Sequence, residues 1–307
     1  MCVVGAVNAD LLVTASPEHF TLGYALADEF STLPGGKGLN TALTMAALAP
    51  SRVGFVGRVG NDMYGEYLAQ VVADSPLEAV ILVTDASSQT GIGHVRVNSD
   101  GEYDTVVHPG ANATLGPSDI SAYSASFGDV IGWATNLETP LNWWSVARGL
   151  SPGAPLAVNL SPLTTDVEIA LGAADLIVLN LAEASDLTQA TAGESVANIL
   201  ATIRKMTQAT IVITAGDKGA EALSKDGKRF SVVAPPAEVQ TTVGAGDAFF
   251  ATLTLALNLG AELSDALDLA VEAGSLVVAS NDSFLSVQTA RKLTQKFNQY
   301  TSPTGQR

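Results

Sequence analysis

The sequence predicts an α/β fold: a mainly parallel sheet covered by helices, with a small half-exposed sheet beside it. Short β-type runs recur at residues 2–7, 52–59, 129–134, 155–160, 175–180 and 210–214 with helical patterns between them, the alternation from which parallel sheets are built. Several of these runs are apolar without strict alternation, as strands buried on both faces are. Two regions, about 11–34 and 90–108, break the pattern. In the second, Gly93-His94-Val95-Arg96-Val97-Asn98 alternates, Ser99-Asp100-Gly101 makes a hairpin turn and residues 102–107 return. This predicts a separate sheet able to act as a lid or a dimer surface. No repeat, low-complexity tract or long linker divides the chain, so residues 1–307 read as a single domain carrying these two insertions.

Composition narrows the function. Of the 307 residues 47% are hydrophobic and 15% charged, enough to bury a large core. The apolar N-terminus has no basic flank and contains Asn8 and Asp10, so it reads as a buried first strand, and no stretch approaches the roughly 18 apolar residues of a membrane helix. A formal net charge of −16, with 15 scattered Lys and Arg, argues against a nucleic-acid partner. A nucleotide remains allowed, because backbone N–H groups, helix starts and a divalent metal supply positive potential without basic side chains. The one cysteine, Cys2, excludes an internal disulfide and fits a reducing cytoplasm, so Asn-x-Ser/Thr strings at Asn112, Asn159 and Asn281 carry no glycosylation meaning.

Along the chain, Asn8 and Asp10 end the first run two residues apart and so share a face, where strand ends of an α/β protein meet ligands. They either fix two hydroxyls or end the strand as polar turn residues. Gly35-Gly36-Lys37-Gly38-Leu39-Asn40 leads into a helical pattern at 41–49. It is not a P-loop, since Ser31 and Gly38 stand where that motif needs Gly and then Ser or Thr. Either Gly36 lets a polyol lie against the backbone beside Lys37 and Asn40, or this is a plain loop with a solvated lysine. Asn180 and Glu183 close another run and offer oxygen ligands suited to Mg²⁺; the same spacing is a helix capping box. Thr214-Ala215-Gly216-Asp217-Lys218-Gly219 is a glycine turn after a strong strand, plausible beside a nucleotide.

Thr241-Thr242-Val243-Gly244-Ala245-Gly246-Asp247 precedes an apolar helical pattern at 248–259, so Gly244, Ala245 and Gly246 fall at a helix start whose free N–H groups hold an anion. Asp247, in the first turn, is expected to have a low pKa from the helix dipole and to accept a hydroxyl proton. The plainer reading is an acid-capped turn. His19, His94 and His108 show no metal-ligand spacing, and Trp133, Trp143 and Trp144 are assigned to the core.

Taken together, these runs resemble the ribokinase family of carbohydrate kinases, the PfkB type, over essentially the whole chain, and their order makes the likeness specific. Asn8-x-Asp10 and Gly35-Gly36-Lys37-Gly38-x-Asn40 resemble the family's sugar-binding segments, and Gly60-Asn61-Asp62-x-x-Gly65 the turn that follows. His108-Pro109-Gly110-Ala111-Asn112 resembles the return from the lid, and Leu137-Glu138-x-Pro140-Leu141 places Glu138 near the sugar. Asn180-x-x-Glu183 resembles the motif linked to magnesium and phosphate, Thr214-x-Gly216-x-x-Gly219 the nucleotide loop, and Gly244-Ala245-Gly246-Asp247 the anion hole with its catalytic base. The resemblance implies a three-layer α/β/α sandwich with a β-sheet lid, transfer of the γ-phosphoryl of ATP with Mg²⁺ to a primary hydroxyl, and lid strands that pair across a homodimer. It implies Asn8, Asp10, Gly36, Lys37, Asn40, Glu138 and Asp247 around the sugar. It implies Asn180, Thr214, Gly216, Gly219, Gly244 and Gly246 around the nucleotide, and Asn180 with Glu183 near Mg²⁺ through water.

One departure stands out. Family members begin the last motif with Asp-Thr, whereas this chain has Thr241-Thr242, and residues 280–286, with Asn281, Asp282 and Phe284, lack the usual glycine-containing pattern. The expectation is weak or absent potassium activation. The polar set Asn8, Asp10, Lys37, Asn40 and Glu138 leans towards D-ribose; fructose, deoxygluconate or a nucleoside on the same fold, and a non-catalytic sugar-binding protein, are the rivals.

Overall fold

The structure is a computed structural model and describes residues 1–14, 26–97, 103–128 and 130–301. His19, the Ser99-Asp100-Gly101 turn and the start of the run at 129 lie outside the described residues. A nine-stranded sheet runs in the order β13-β12-β11-β10-β9-β8-β1-β4-β5. Its strands are β1 (Cys2–Val4), β4 (Gly54–Gly60), β5 (Ala79–Asp85), β8 (Trp133–Asn136), β9 (Leu156–Asn159), β10 (Leu176–Asn180), β11 (Thr210–Thr214), β12 (Ala220–Leu223) and β13 (Arg229–Val232). Pairing is parallel from β11 through to β5, and β12 and β13 add an antiparallel edge.

Helices cover both faces. Against one pack α1 (Lys37–Leu48), α2 (Met63–Ala73), α8 (Ala245–Asn258), α9 (Leu263–Val278) and α10 (Val287–Thr301). Against the other pack α3 (Pro117–Phe127), α4 (Trp144–Leu150), α5 (Val167–Ala173), α6 (Leu181–Thr188) and α7 (Val196–Ile203). Every strand residue of β1, β8 and β9 is buried, which explains why these runs are apolar without alternation. Each large side chain fully buried there, such as Phe55, Phe250 or Leu156, stabilises the fold by about 1.5–3 kcal/mol.

A second sheet, in the order β3-β2-β6-β7, is built from β2 (Asn8–Thr14), β3 (Glu29–Gly35), β6 (Gly91–Val97) and β7 (Tyr103–His108). These strands fall in the two insertions. The structure corrects one boundary: Asn8 and Asp10 do not end the first strand but open β2. The first strand stops at Val4, and the chain passes through Gly5-Ala6-Val7 into the small sheet. The apolar character of residues 5–7 hides the break, because those residues are buried between the sheets. The strands β5, β12 and β13 extend the six runs read from sequence. Val80-Ile81-Leu82-Val83 carries a clear β pattern, whereas β12 and β13 are short and partly exposed.

The chain leaves β1 in both directions, to β4 and β5 on one side and to β8 and beyond on the other. The boundary between β1 and β8 is therefore a topological switch point, and a crevice opens at the carboxyl ends of such strands.

Candidate active site

Side chains from α1, α8, β2 and the end of β8 meet at that crevice. Gly36 caps α1 at φ 87, and a Cβ there would lie 2.6 Å from the Ala6 carbonyl oxygen, so the turn requires glycine. The helix start aims Lys37 N at Glu138 Oε2, to which it donates at 2.9 Å. Glu138 is itself set by its own N–H, which donates to Asn136 Oδ1 at the end of β8 (2.9 Å). One turn into α1, Asn40 Nδ2 donates to Asp247 Oδ2 at 3.0 Å, and Lys37 Nζ stands 4.0 Å from Asp247 Oδ1. Asp247 lies in the first turn of α8, buried to 4% exposure.

Asp10 reaches the same cluster from the small sheet. It is buried, and Gly35 and Gly93 enclose its carboxylate: a Cβ at either would fall 1.9 or 2.3 Å from an Asp10 oxygen. Asn8 is fixed by Asn112, whose Nδ2 donates to Asn8 Oδ1 (2.8 Å) and Val7 O (3.1 Å) while its Oδ1 accepts from Val7 N (2.9 Å). The Gly60–Gly65 turn is a latch of the same kind. Asp62 caps α2 through Gly65 N and accepts from both the N–H and the hydroxyl of Thr90, just before β6.

From Lys37 and Asp247 a cavity of about 690 Å³ extends over the ends of β10 and β11. Asn180, Glu183, Thr214, Gly216, Gly219, Gly244, Ala245 and Gly246 line it. Asn180 and Thr214 are paired neighbours in the sheet. Asn180 and Glu183 form the reciprocal capping box of α6, at 2.8 and 2.9 Å. Gly244 begins α8 in the left-handed region at φ 78, pressed on the Ser283 carbonyl, which a Cβ would meet at 1.8 Å. A Cβ at Gly246, by contrast, would find no atom within 4 Å, so the backbone of the helix start is open to the cavity. Ala245 N is loosely engaged with Thr242 O at 3.4 Å; first-turn N–H groups have no partner within their own helix, a setting suited to an anion.

Asn8, Asp10, Gly36, Asn40 and Glu138 are not in this lining; they stand beyond Lys37 and Asp247, beneath the small sheet. The predicted residues thus form two adjoining groups that share Lys37 and Asp247. Sequence reasoning passed over Gly93, Asn136 and Asn159. The signal available for Gly93 was a glycine inside an alternating strand, which marks close approach of another group.

The electrostatics correct a second expectation. Burial raises the Asp247 pKa above the ordinary carboxylate value, and Lys37 and the Asn40 bond only partly offset it. Desolvation is the largest cause, and the nearby charge of Glu183 adds to it. Burial also raises Glu138, and it pushes Asp10 up to about 7, helped by the nearby charges of Glu138 and Asp247. Among the described residues lining the cavity, Lys37 is the one cation beside Glu183, Asp217 and Asp247. No cluster of three or more His, Cys, Asp or Glu able to hold a metal occurs among the described residues. An oxygen pair such as Asn180 with Glu183 fits Mg²⁺ that keeps most of its water and is carried by phosphates, and does not fit a dedicated protein cage.

The profile of the pfkB family carbohydrate kinases matches residues 1–290. The chain belongs to the pfkB family of carbohydrate kinases. As a member it is a phosphotransferase with an alcohol group as acceptor, and its fold is ribokinase-like. Ribokinase from Bacillus subtilis (strain 168) is 28% identical over 91% of this chain and 93% of its own length. Arabidopsis thaliana ribokinase, solved in complex with ribose and ATP, superposes with a TM-score of 0.78 at 26% identity, covering 96% of this chain and 98% of the other. Giardia lamblia ribokinase, at 21% identity, shares the fold with a TM-score of 0.85 over 95% of this chain and 98% of its own. Lys37 and Asp247 are the residues that the two adjoining groups share.

Proposed function

We propose that this protein transfers the γ-phosphoryl of ATP to the primary hydroxyl of D-ribose, giving ribose 5-phosphate, with Asp247 as the general base. The observation that carries the reading is the position of Asp247, buried at the start of α8, held through Oδ2 by Asn40 and facing Lys37 at the junction of the two groups. Asn8, Asp10, Gly36, Lys37, Asn40 and Glu138 hold the sugar hydroxyls. The cavity takes the nucleotide against Asn180, Thr214, Gly216 and Gly219, with its phosphates at Gly244, Ala245 and Gly246.

In the reaction Asn40 fixes the carboxylate, Asp247 Oδ1 orients the attacking hydroxyl and accepts its proton, and the raised pKa makes Asp247 a stronger base than a solvated carboxylate. The N–H groups at the α8 start stabilise the charge gathering on the transferred group. Asn180 and Glu183 are the residues that would hold Mg²⁺, which when bound would supply the charge neutralisation that a lining with one lysine and three carboxylates lacks.

Thr241 accepts a hydrogen bond from Val243 N at 3.2 Å and brings no carboxylate to its loop, which supports a reaction with weak or absent potassium activation. The register of the small sheet puts Phe30 and Val106, 65% and 72% exposed, on the face opposite Asp10, which supports a homodimer through that sheet. No helix among the described residues is long and apolar enough to cross a membrane, and Cys2 is buried and free; a cytoplasmic enzyme agrees with both.

The test is ADP release over a panel of sugars and nucleosides, comparing the parent chain with Asp247→Ala. Turnover with ribose that drops roughly 10²–10⁴-fold in the variant is expected. Turnover with a nucleoside and none with ribose would make this a nucleoside kinase. Ribose binding without Asp247-dependent turnover would make it a binding protein.

A further inference from the structure

We infer that the phosphoryl-donor slot does not discriminate between nucleobases, so that purine nucleoside triphosphates in general, not ATP alone, serve as donors; this rests on the reading of the cavity as the nucleotide site. With phosphates at the α8 start, the base extends to the far half of the cavity, between the loop joining β13 to α8 and the flank of α9. The loop contributes Pro235, Pro236 and Val239 to that half, and α9 contributes Val271, Ser275 and Val278.

Telling adenine from guanine requires directional groups that read the 6-amino against the 6-oxo group and register the 2-amino group. The slot has few to offer. Pro235 and Pro236 have no N–H. Further along, Gln240 N and Thr241 N are both engaged with Val278 O, at 2.9 and 3.3 Å, and the N–H groups of residues 237–239 belong to the exposed stretch of the loop, where water competes for them. Thr242 and Ser275 are the polar side chains that this loop and α9 bring to the lining, and the Ser275 hydroxyl is directed at Pro235 O, at 3.5 Å. Residues 235–240 are all exposed, with Val239 at 54%, so the polar edge of a bound base faces water and keeps its hydration. What remains is apolar contact with the faces of the ring, which any purine makes about equally. An apolar site rejects a polar isostere by about 10²-fold at most, whereas a site built to hydrogen-bond one reaches about 10⁴–10⁵-fold.

The experiment measures kcat/KM for ATP, GTP, ITP, CTP and UTP with the full chain and saturating ribose, following sugar phosphate so that the assay is blind to the base. In parallel, calorimetry gives Kd for ADP and GDP without acceptor. GTP and ITP within about tenfold of ATP, pyrimidine nucleotides lower through their smaller contact area, and ADP and GDP binding within the same factor are the expected results. A preference for ATP over GTP, or ADP over GDP, above about a hundredfold would overturn the inference. Absence of turnover with all five donors counts against ribose as the acceptor instead, and the calorimetric ratio then decides base tolerance by itself.

Discussion

At the acceptor end Asp10 is boxed between two glycines, Asn8 is pinned by Asn112, and Glu138 is held by the start of α1, all among buried or half-buried groups. At the donor end the wall is proline, valine and open backbone, with a loop exposed from residue 235 to 240. The first is a polar group fixed by its own hydrogen bonds and close packing; the second offers apolar surface and a helix start. Directional hydrogen bonds in a dry site discriminate strongly, because a wrong ligand leaves buried groups unpaired, while apolar contact discriminates weakly. On the proposed reading, selectivity is therefore concentrated on the group that receives the phosphoryl, and the group that gives it is recognised chiefly through its phosphates.

The largest effect that tests this contrast comes from closing the acceptor box. Gly93→Ala drives a methyl to within 2.3 Å of the Asp10 carboxylate and is expected to raise the acceptor KM on the order of a hundredfold, with ADP affinity measured by calorimetry unchanged. The donor-side counterpart, Gly246→Ala, meets no atom within 4 Å in the free chain and should leave acceptor KM alone while weakening the nucleotide. Equal effects of both variants on both ligands would erase the distinction between the ends.

A smaller effect follows from Asp10 itself, whose pKa is raised to about 7 by burial and by Glu138 and Asp247. If its ionised form is the one that binds hydroxyls, the acceptor KM falls about tenfold between pH 6 and pH 8, and the dependence is absent in Asp10→Asn. Stability runs the other way. The unfolded chain loses this proton near the ordinary value of 3.8 and the folded chain near 7, so the folded state binds the extra proton across that window. Its contribution is present below the window and is lost as pH rises through 7. Thermal unfolding of the parent and Asp10→Asn at pH 5 and pH 8 checks the sign: the variant gains relative stability at the higher pH. The smallest expected effect is that of potassium in place of sodium. With Thr241 in its loop the rate stays level, and a several-fold rise would show a cation acting on the donor end.

The sequence carried more of the site than of its supports. Gly36, Gly244 and Asp247 were legible because a helix start needs them at fixed spacing, and the helices begin where Lys37 and Ala245 stand. Asn180 with Glu183 was legible as a capping box and is one. The break after Val4 was not, because burial between two sheets gives residues 5–7 the same apolar character as a strand. The raised pKa of Asp247 is not legible in the local pattern, because the desolvation that causes it comes from elements far away in the chain. Asn112 belonged to a recognisable segment, yet its clamp on Val7 and Asn8 spans more than a hundred residues and has no local trace.

The chain's three tryptophans all sit on the side of the main sheet away from α8. Trp133 and Trp143 have ring centres 5.9 Å apart, and Trp143 and Trp144 6.1 Å. Their indole N–H groups meet no protein acceptor among the described residues. Excitation shared among three rings in such a dry setting gives one blue-shifted emission that reports the packing of this half of the core and is silent to events at the crevice. A variant that loses sugar or nucleotide while keeping that emission has lost recognition; one whose emission moves to longer wavelength has lost its fold.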